Sequence, residues 1–201
     1  MRHSRTLRLG AARKVERMTR VVAGLAGGRR LVVPAGEGTR PTSERAREGM
    51  FSSLQSLLDL QGARVLDLYA GSGALGFEAL SRGAVLAVLV DSDPRAVAAL
   101  RSNADTLGLP GVVVVDSPVE RFLDGPPAPA YSQGFDLAVL DPPYDDDVAP
   151  VLSALLPWLA PGAVVVVERR ARGPELGWPA GLEPVRDRRY GAAVLRYALR
   201  P

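Results

Sequence analysis

Asp141-Pro142-Pro143-Tyr144 closes an apolar run, Phe135-Asp136-Leu137-Ala138-Val139-Leu140. The run reads as a buried parallel strand, and open α/β sheets bind ligands at the carboxyl ends of such strands. Two prolines fix φ and remove two backbone donors, leaving rigid carbonyl acceptors. A flat ring beside a carboxylate and a carbonyl can hold the face of a base and the N–H bonds of an exocyclic amine. That suits chemistry on the amino group of a nucleobase or an amide. The plain alternative is a proline-rich turn from strand to helix with an exposed tyrosine.

A second motif narrows the choice. Arg64-Val65-Leu66-Asp67-Leu68-Tyr69-Ala70-Gly71-Ser72-Gly73 runs from a strand into a glycine loop, and Gly71, Gly73 and Gly76 fit G-x-G-x-x-G. Alone, that pattern suggests a dinucleotide site. Three features argue otherwise. Asp67 stands in the strand end, four residues before Gly71, where a nicotinamide site usually has an apolar residue. The next strand, 85–90, runs into Asp91, whose carboxylate can take a ribose diol. No hydride-transfer group is evident, and the one histidine is His3, in the N-terminal tail. A nucleoside-bearing cofactor without a diphosphate fits better, and S-adenosylmethionine is the natural candidate. For Gly71 and Gly73 the alternative is a tight βα turn in a ligand-free domain.

Positioning both motifs requires an alternation of strands and helices, and the chain supplies one. Short strands at 21–23 and 29–33 around Gly24, Gly27 and Gly28 form a hairpin signal. A Pro/Gly-rich loop over 34–42 leads to a helix capped by Thr42 or Ser43, with Glu44 in its first turn, running to about Leu60. Then come a strand at 64–69, a helix at 74–82, a strand at 85–91, a helix at 94–107, a strand at 112–116 and a short helix near 118–123. Pro94 at the first helical position and Gly108 just past the end mark the second of these helices. A Gly/Pro/Ser-rich segment, 124–134, is expected to be a mobile loop. A strand at 135–140, a helix at 147–159 and a strand at 163–168 follow. The chain closes on a hairpin, 183–190 and 193–199, turning at Gly191. This alternation implies a parallel sheet covered on both faces.

At 201 residues the chain is long enough for one substantial α/β core and a small extension. It has no cysteine, which excludes disulfides, thiolate metal sites and cysteine nucleophiles. With one histidine, no metal site is expected. No apolar run approaches a membrane span, and the basic N-terminus lacks the hydrophobic segment of a secretory signal. The expectation is a soluble cytoplasmic protein. Charge is uneven: residues 1–50 carry 12 basic and four acidic side chains, a net +8, while the other 151 carry 13 basic and 18 acidic, a net −5. A basic arm on a mildly acidic body is the footprint of a polyanionic partner. The alternative is a solvated, disordered tail over 1–18.

From 19 to 200 the chain resembles the RsmD family, bacterial methyltransferases acting on a guanine N2 amine of small-subunit ribosomal RNA. The resemblance rests on TRVVAGLAGGRRLVVPAGEGTRPTSERAREGMFSSL, RVLDLYAGSGALGFEALSRGA, VLVDSDPRAV, DLAVLDPPYD and RRYGAAVLRYALR. The glycine loop and Asp-Pro-Pro-Tyr occur in many amino-methyltransferases, whereas the stretch 40–51 is more specific to the family. The resemblance implies a Rossmann-like class I S-adenosylmethionine-dependent methyltransferase. It implies a mostly parallel seven-stranded sheet, the last strand antiparallel, with an N-terminal hairpin extension. Periodicity alone does not yield that strand order. The implied division is a flexible tail over 1–18, a hairpin and substrate loop over 19–42, and a methyltransferase domain over 43–201.

The resemblance also implies roles. Asp141, Pro142, Pro143 and Tyr144 would be catalytic. Asp67, Tyr69, Ala70, Gly71, Gly73, Asp91, Ser92, Asp116 and Ser117 would hold the cofactor. Within that set, Asp67 would meet the methionine amino group through water, and Asp91 the ribose. Gly71 and Gly73 would let the methionine portion approach the backbone. Asp93 would cap the helix that follows. The family usually reads the adenine amine with Asp or Asn at the position where this chain has Pro118, leaving Asp116 or backbone groups for that task. Arg40, Thr42, Arg45 and Arg47 would contact RNA; for Arg45 and Arg47 the alternative is helix solvation or pairing with Glu44 and Glu48. Tyr190 would border the substrate opening or pack in the core, and Trp158 and Trp178 would pack. The partner would be 16S ribosomal RNA or the assembling small ribosomal subunit, and the chain a monomer without metal. Other readings are an adenine-N6 or protein-glutamine methyltransferase, a nicotinamide oxidoreductase, and a non-catalytic RNA-binding module.

Overall fold

A computed structural model describes residues 18–34, 44–144 and 146–201. Five apolar runs end up side by side as parallel strands: β3 (Arg64–Leu68), β4 (Leu86–Asp91), β5 (Val112–Asp116), β6 (Phe135–Leu140) and β7 (Leu159–Arg170). β8 (Glu183–Tyr190) and β9 (Ala193–Leu199) complete a seven-stranded sheet in the order β5-β4-β3-β6-β7-β9-β8. Only β9 runs against the rest, since it pairs antiparallel with both β7 and β8. Val65, Leu66, Leu68, Val88, Leu89, Leu137, Ala138 and Val164 are fully buried, as parallel strands covered on both faces require.

Helices α1 (Glu44–Leu54), α2 (Ala74–Ser81), α3 (Pro94–Leu107), α4 (Val119–Phe122) and α5 (Ala149–Leu155) supply the cover. One core layer joins Met50, Phe51 and Leu54 of α1 and Phe77 of α2 to the sheet. The other packs Val151, Leu152 and Leu155 of α5 and Val119 of α4 on the opposite face. The caps of α3 stand as expected: Asp93 accepts from the Arg95 N–H at 2.9 Å, Pro94 opens the helix and Gly108 closes it at φ 61°.

Strand order decides where a ligand can sit. β4 lies on one side of β3 and β6 on the other, so the winding reverses between β3 and β6. Open α/β sheets bind ligands at such a switch point. The glycine loop leaves β3 and Asp141 leaves β6, so both motifs flank this crevice. Asp67 is level with Val139 and Leu68 with Leu140.

Several boundaries differ from the sequence expectation. The N-terminal hairpin pairs β1 (Met18–Arg20) with β2 (Arg30–Val32), not 21–23 with 29–33. Residues 21–28 are instead drawn down onto α2. Glu78, fully buried, accepts from the Val22 and Ala23 N–H groups at 2.6 and 3.0 Å, and the Ser81 Oγ accepts from Ala26 N at 2.9 Å. Gly24 passes so close that a Cβ there would meet the Ser81 carbonyl at 1.8 Å. α1 stops at Leu54, whose carbonyl then accepts from both Leu57 and Leu58 N–H. α5 ends at Leu155, because Pro157 sits in a 3-10 turn, Leu156–Trp158. The loop 124–134 is packed: Tyr131, in a 3-10 turn, lies 5.5 Å from the Phe135 ring and 6.0 Å from Trp158, and Phe122 lies 4.6 Å from Trp158. Such aromatic contacts tie a polar loop to the core.

Candidate active site

At the end of β3 the chain turns sharply. Tyr69 takes φ 61°, the left-handed region, and is the one non-glycine residue among those described to do so. That conformation costs about 1–3 kcal/mol and persists where surrounding structure enforces it. Here Ala70 N donates to the Val90 carbonyl at 3.0 Å, and the Tyr69 hydroxyl donates to Glu120 at 3.2 Å. Burial and the Glu120 charge push the Tyr69 phenol up. The two loop glycines differ in purpose. A Cβ on Gly71 would point into open space, with only the Tyr69 carbonyl as near as 4.0 Å. On Gly73 it would strike Phe77 at 2.5 Å and Leu100 at 2.7 Å. Gly71 therefore leaves backbone open to a ligand, while Gly73 allows the loop to pack.

Asp91, at the end of β4, accepts from Gly71 N at 2.8 Å through one oxygen and from Asp93 N at 2.9 Å through the other. Each oxygen keeps a further lone pair, enough for a pair of hydroxyls. Asp116 is the register neighbour of Asp91, and Ser117 N donates to the Asp91 carbonyl at 3.1 Å. Asp116 is exposed, with the Arg101 guanidinium 3.9 Å away, and Ser92 is exposed beside Asp91. This exposed acidic edge, joined to the glycine loop through the Asp91–Gly71 bond, fits a nucleoside-bearing cofactor.

Asp67 sits lower. It is 2 % exposed and accepts from Gly76 N at 2.9 Å. Burial lifts its carboxyl well above the usual carboxylate range; the Gly76 bond opposes this, and the Asp141 and Asp91 charges reinforce it. A cationic group beside Asp67 would favour its charged form.

Asp141 is half-buried, Pro142 buried and Pro143 exposed. The end of β7, not marked in the sequence reading, organises this loop. Arg169, 8 % exposed, donates to the Pro143 carbonyl at 3.3 Å, the Tyr144 carbonyl at 2.8 Å and the Asp146 carbonyl at 3.0 Å. The Pro142 carbonyl is not among its acceptors. Glu168, also buried, accepts from the Tyr144 hydroxyl at 3.4 Å, and the Arg170 guanidinium stands 4.9 Å over the Tyr144 ring. A cation thus lies against one face of the ring expected to meet a base. Charged residues ending the apolar run 163–167 were the available signal for all three.

Asn103 of α3 was also missed. Its amide accepts from Val32 N at 2.8 Å and donates to the Val32 and Ser72 carbonyls, each at 2.9 Å. One buried side chain therefore ties the N-terminal hairpin to the glycine loop.

The expected RNA-contact residues separate. Arg45 is exposed on α1. Arg47 is fully buried and donates to the Arg20 carbonyl at 2.5 Å and to Thr19 at 3.3 Å. Burial lowers its pKa, against the charges of Glu78 and Glu44. Arg47 holds the hairpin on α1 and does not face a phosphate, because its helix face is the one that packs. Arg40, Thr42 and the tail 1–17 lie outside the described residues. Tyr190 packs on α1: a Cβ at Gly49 would come within 2.2 Å of its hydroxyl. Trp158 is buried and Trp178 packs partly buried against the same core layer. Among the described residues no helix is long and apolar enough to cross a membrane, and no three His, Cys, Asp or Glu side chains converge to hold a metal ion.

A family model described as Conserved hypothetical protein 95 matches residues 19–199. The chain is similar to Ribosomal RNA small subunit methyltransferase D of Escherichia coli strain K12, 37 % identical over 152 residues, covering 74 % of this chain and 73 % of that protein. The protein of the same name from Haemophilus influenzae is 36 % identical over 154 residues, covering 74 % and 77 %. The solved structure of yhhF from Escherichia coli superposes with a TM-score of 0.77 at 33 % identity, covering 91 % of this chain and 98 % of that one. The chain belongs to the family that this model describes, the RsmD family that its sequence resembles.

Proposed function

We propose that the protein transfers a methyl group from S-adenosylmethionine to the exocyclic N2 amine of a guanine in small-subunit ribosomal RNA. The observation that carries this reading is the meeting of the two motifs: the glycine loop with Asp91, and Asp141-Pro142-Pro143-Tyr144, flank one switch point between β3 and β6. Family membership and the names of the relatives support the substrate class.

The cofactor, when bound, supplies an electrophilic methyl group on a positively charged sulfur. Asp91 would take the ribose hydroxyls and Gly71 would leave room for the methionine portion. The Asp91 carboxylate, joined by Asp67 once a cation favours its charged form, gives the cofactor end of the crevice a negative field. The Asp141 carboxylate and the Pro142 carbonyl would accept the two hydrogens of the substrate amine. Accepting both turns the nitrogen lone pair out of conjugation and toward the methyl group. Asp141 then stabilises the positive charge that develops on nitrogen, whose proton leaves to this carboxylate or to water. Arg169 holds the loop carbonyls so that these acceptors need not reorganise. Tyr144 would stack on the base, a contact worth about 1–3 kcal/mol in single-strand binders. Since Arg170 already stacks on that ring, the base either takes the opposite face or displaces a guanidinium. A base paired in a helix is out of reach, so the target is unpaired or flipped.

The test is incubation with labelled S-adenosylmethionine and small-subunit particles or RNA from cells lacking the protein, followed by nucleoside analysis. Methylated guanosine at N2 is expected. Label on adenine, or on protein glutamine alone, would replace the substrate while keeping the amine chemistry.

A further inference from the structure

Strand register and the contacts of α1 place three exposed arginines, Arg45, Arg170 and Arg188, toward one corner of the sheet, where Arg170 lies over the Tyr144 ring. The faces of β8 are fixed by two contacts. Arg186 donates to the Ser53 carbonyl and the Ser56 Oγ, both at 2.9 Å, so it faces α1. Tyr190 also faces α1, against Gly49. With a period of two, Arg188 lies between them on the same face. Because Ser53 is near Arg186 and Gly49 near Tyr190, α1 runs opposite to β8. Arg45, one turn before Gly49, therefore lies past the end of β8.

The strand register brings β7 to this corner. Arg188 and Glu168 both pair with Leu195, and Tyr190 and Arg170 both pair with Ala193. Glu168 and Arg170 reach the Tyr144 hydroxyl and ring. Arg45, Arg170 and Arg188 are exposed, and among the described residues none forms an ion pair. On the opposite face of β8, Asp187 lies 3.8 Å from Arg196, and Arg189 points the same way as Asp187. These arginines are thus on the α1 face, which also carries the buried Glu168, next to the aromatic ring of the loop.

We propose that this corner, built by the C-terminal hairpin and the end of β7, is an RNA-contacting wall. Arg188, Arg170 and Arg45 take phosphates flanking the target nucleotide while Tyr144 takes its base. The inference rests on the proposed methyl transfer to RNA. It adds that the body of the protein, despite its net negative charge, contributes phosphate contacts of its own through Arg170 and Arg188. Planar guanidinium forks suit phosphate oxygens, and a sheet holds them in fixed register with the amine site.

The experiment uses the full chain and small-subunit particles from cells lacking the protein, over a salt series. Arg188→Gln should raise the KM for particles by about threefold to tenfold and flatten the log–log salt slope by about one; Arg170→Gln with Arg188→Gln should flatten it by about two. Affinity for S-adenosylmethionine and the thermal midpoint should be unchanged in Arg188→Gln, and Arg188→Lys should recover most of the loss. Arg189→Gln removes the same charge one residue away on the other face and should behave as wild type. Wild-type KM and slope in the double variant overturn the proposal. So does an equal loss in Arg189→Gln, which would indicate diffuse attraction. Wild-type protein that methylates no RNA overturns the functional reading as well. Wild-type transfer with an unaffected double variant overturns this wall alone.

Discussion

Arg169 Nη2 donates to the Tyr144 carbonyl at 2.8 Å, joining residues 25 apart in sequence across the end of the sheet. The same guanidinium reaches Pro143 and Asp146. A rigid dipeptide of prolines sets local geometry, but only a second element can set where the loop stands relative to Asp67 and Gly71. Arg169→Met should cut kcat for methyl transfer about tenfold to a hundredfold, from hydrogen bonds to a charged donor worth about 1.5–3 kcal/mol. Cofactor affinity should change less than twofold, and Arg169→Lys should rescue part of the loss. Steady-state kinetics beside a cofactor titration separate this positioning role from unfolding.

Asn103→Ala removes one side chain from two structures at once. The Val32 and Ser72 backbone groups lose their partners, at about 1–3 kcal/mol for buried groups left unsatisfied. Thermal stability should fall and S-adenosylmethionine affinity should weaken together. A drop in stability with intact affinity would show that the glycine loop does not depend on this tie.

Asp91→Ala should weaken cofactor binding by about 1.5–3 kcal/mol, the value of hydrogen bonds to a charged acceptor. Gly71 N and Asp93 N lose their acceptor in the same variant. Isothermal titration with S-adenosylmethionine is the measurement; unchanged affinity would put the ribose elsewhere.

Asp67 makes the ligand-free protein sensitive to pH. Burial raises its pKa, so the folded chain holds this proton more tightly than the unfolded chain. The resulting stability is fully present below the ordinary carboxylate pKa of about 4 and is lost as pH rises toward the raised value. Asp67→Asn keeps an oxygen for Gly76 N and carries no charge. Its melting temperature should gain on wild type as pH rises above that range. Because a cation favours the carboxylate, cofactor binding should release a proton from wild type but not from Asp67→Asn. Calorimetry in two buffers of different ionisation enthalpy detects this, and parallel melting curves across pH would contradict it.

Regular elements were legible where one signal dominates. Pro94 and Gly108 bound α3, and Gly191 marks the closing hairpin, so their observed limits match the sequence reading. The glycine loop and Asp-Pro-Pro-Tyr were legible because their residue types have few other uses. What was not legible depends on partners distant in sequence. The first strand of the N-terminal hairpin lies three residues earlier than expected because Glu78 and Ser81, more than 50 positions later, claim the backbone groups of 22–26. Arg47 reads as a surface cation, since arginine is rarely buried, yet the hairpin covers it. Arg169 and Asn103 belong to neither motif, and only the packed sheet shows what they hold.

In the proposed reaction Asp141 acts on the substrate amine and not on the cofactor. The direct measurement is methyl transfer by Asp141→Ala to small-subunit particles from cells lacking the protein, read as N2-methylguanosine, beside its affinity for S-adenosylmethionine. Near wild-type affinity is expected, with transfer reduced by about a hundredfold or more, the scale of a lost acid–base and charge-stabilising group. Transfer within a few-fold of wild type would contradict it.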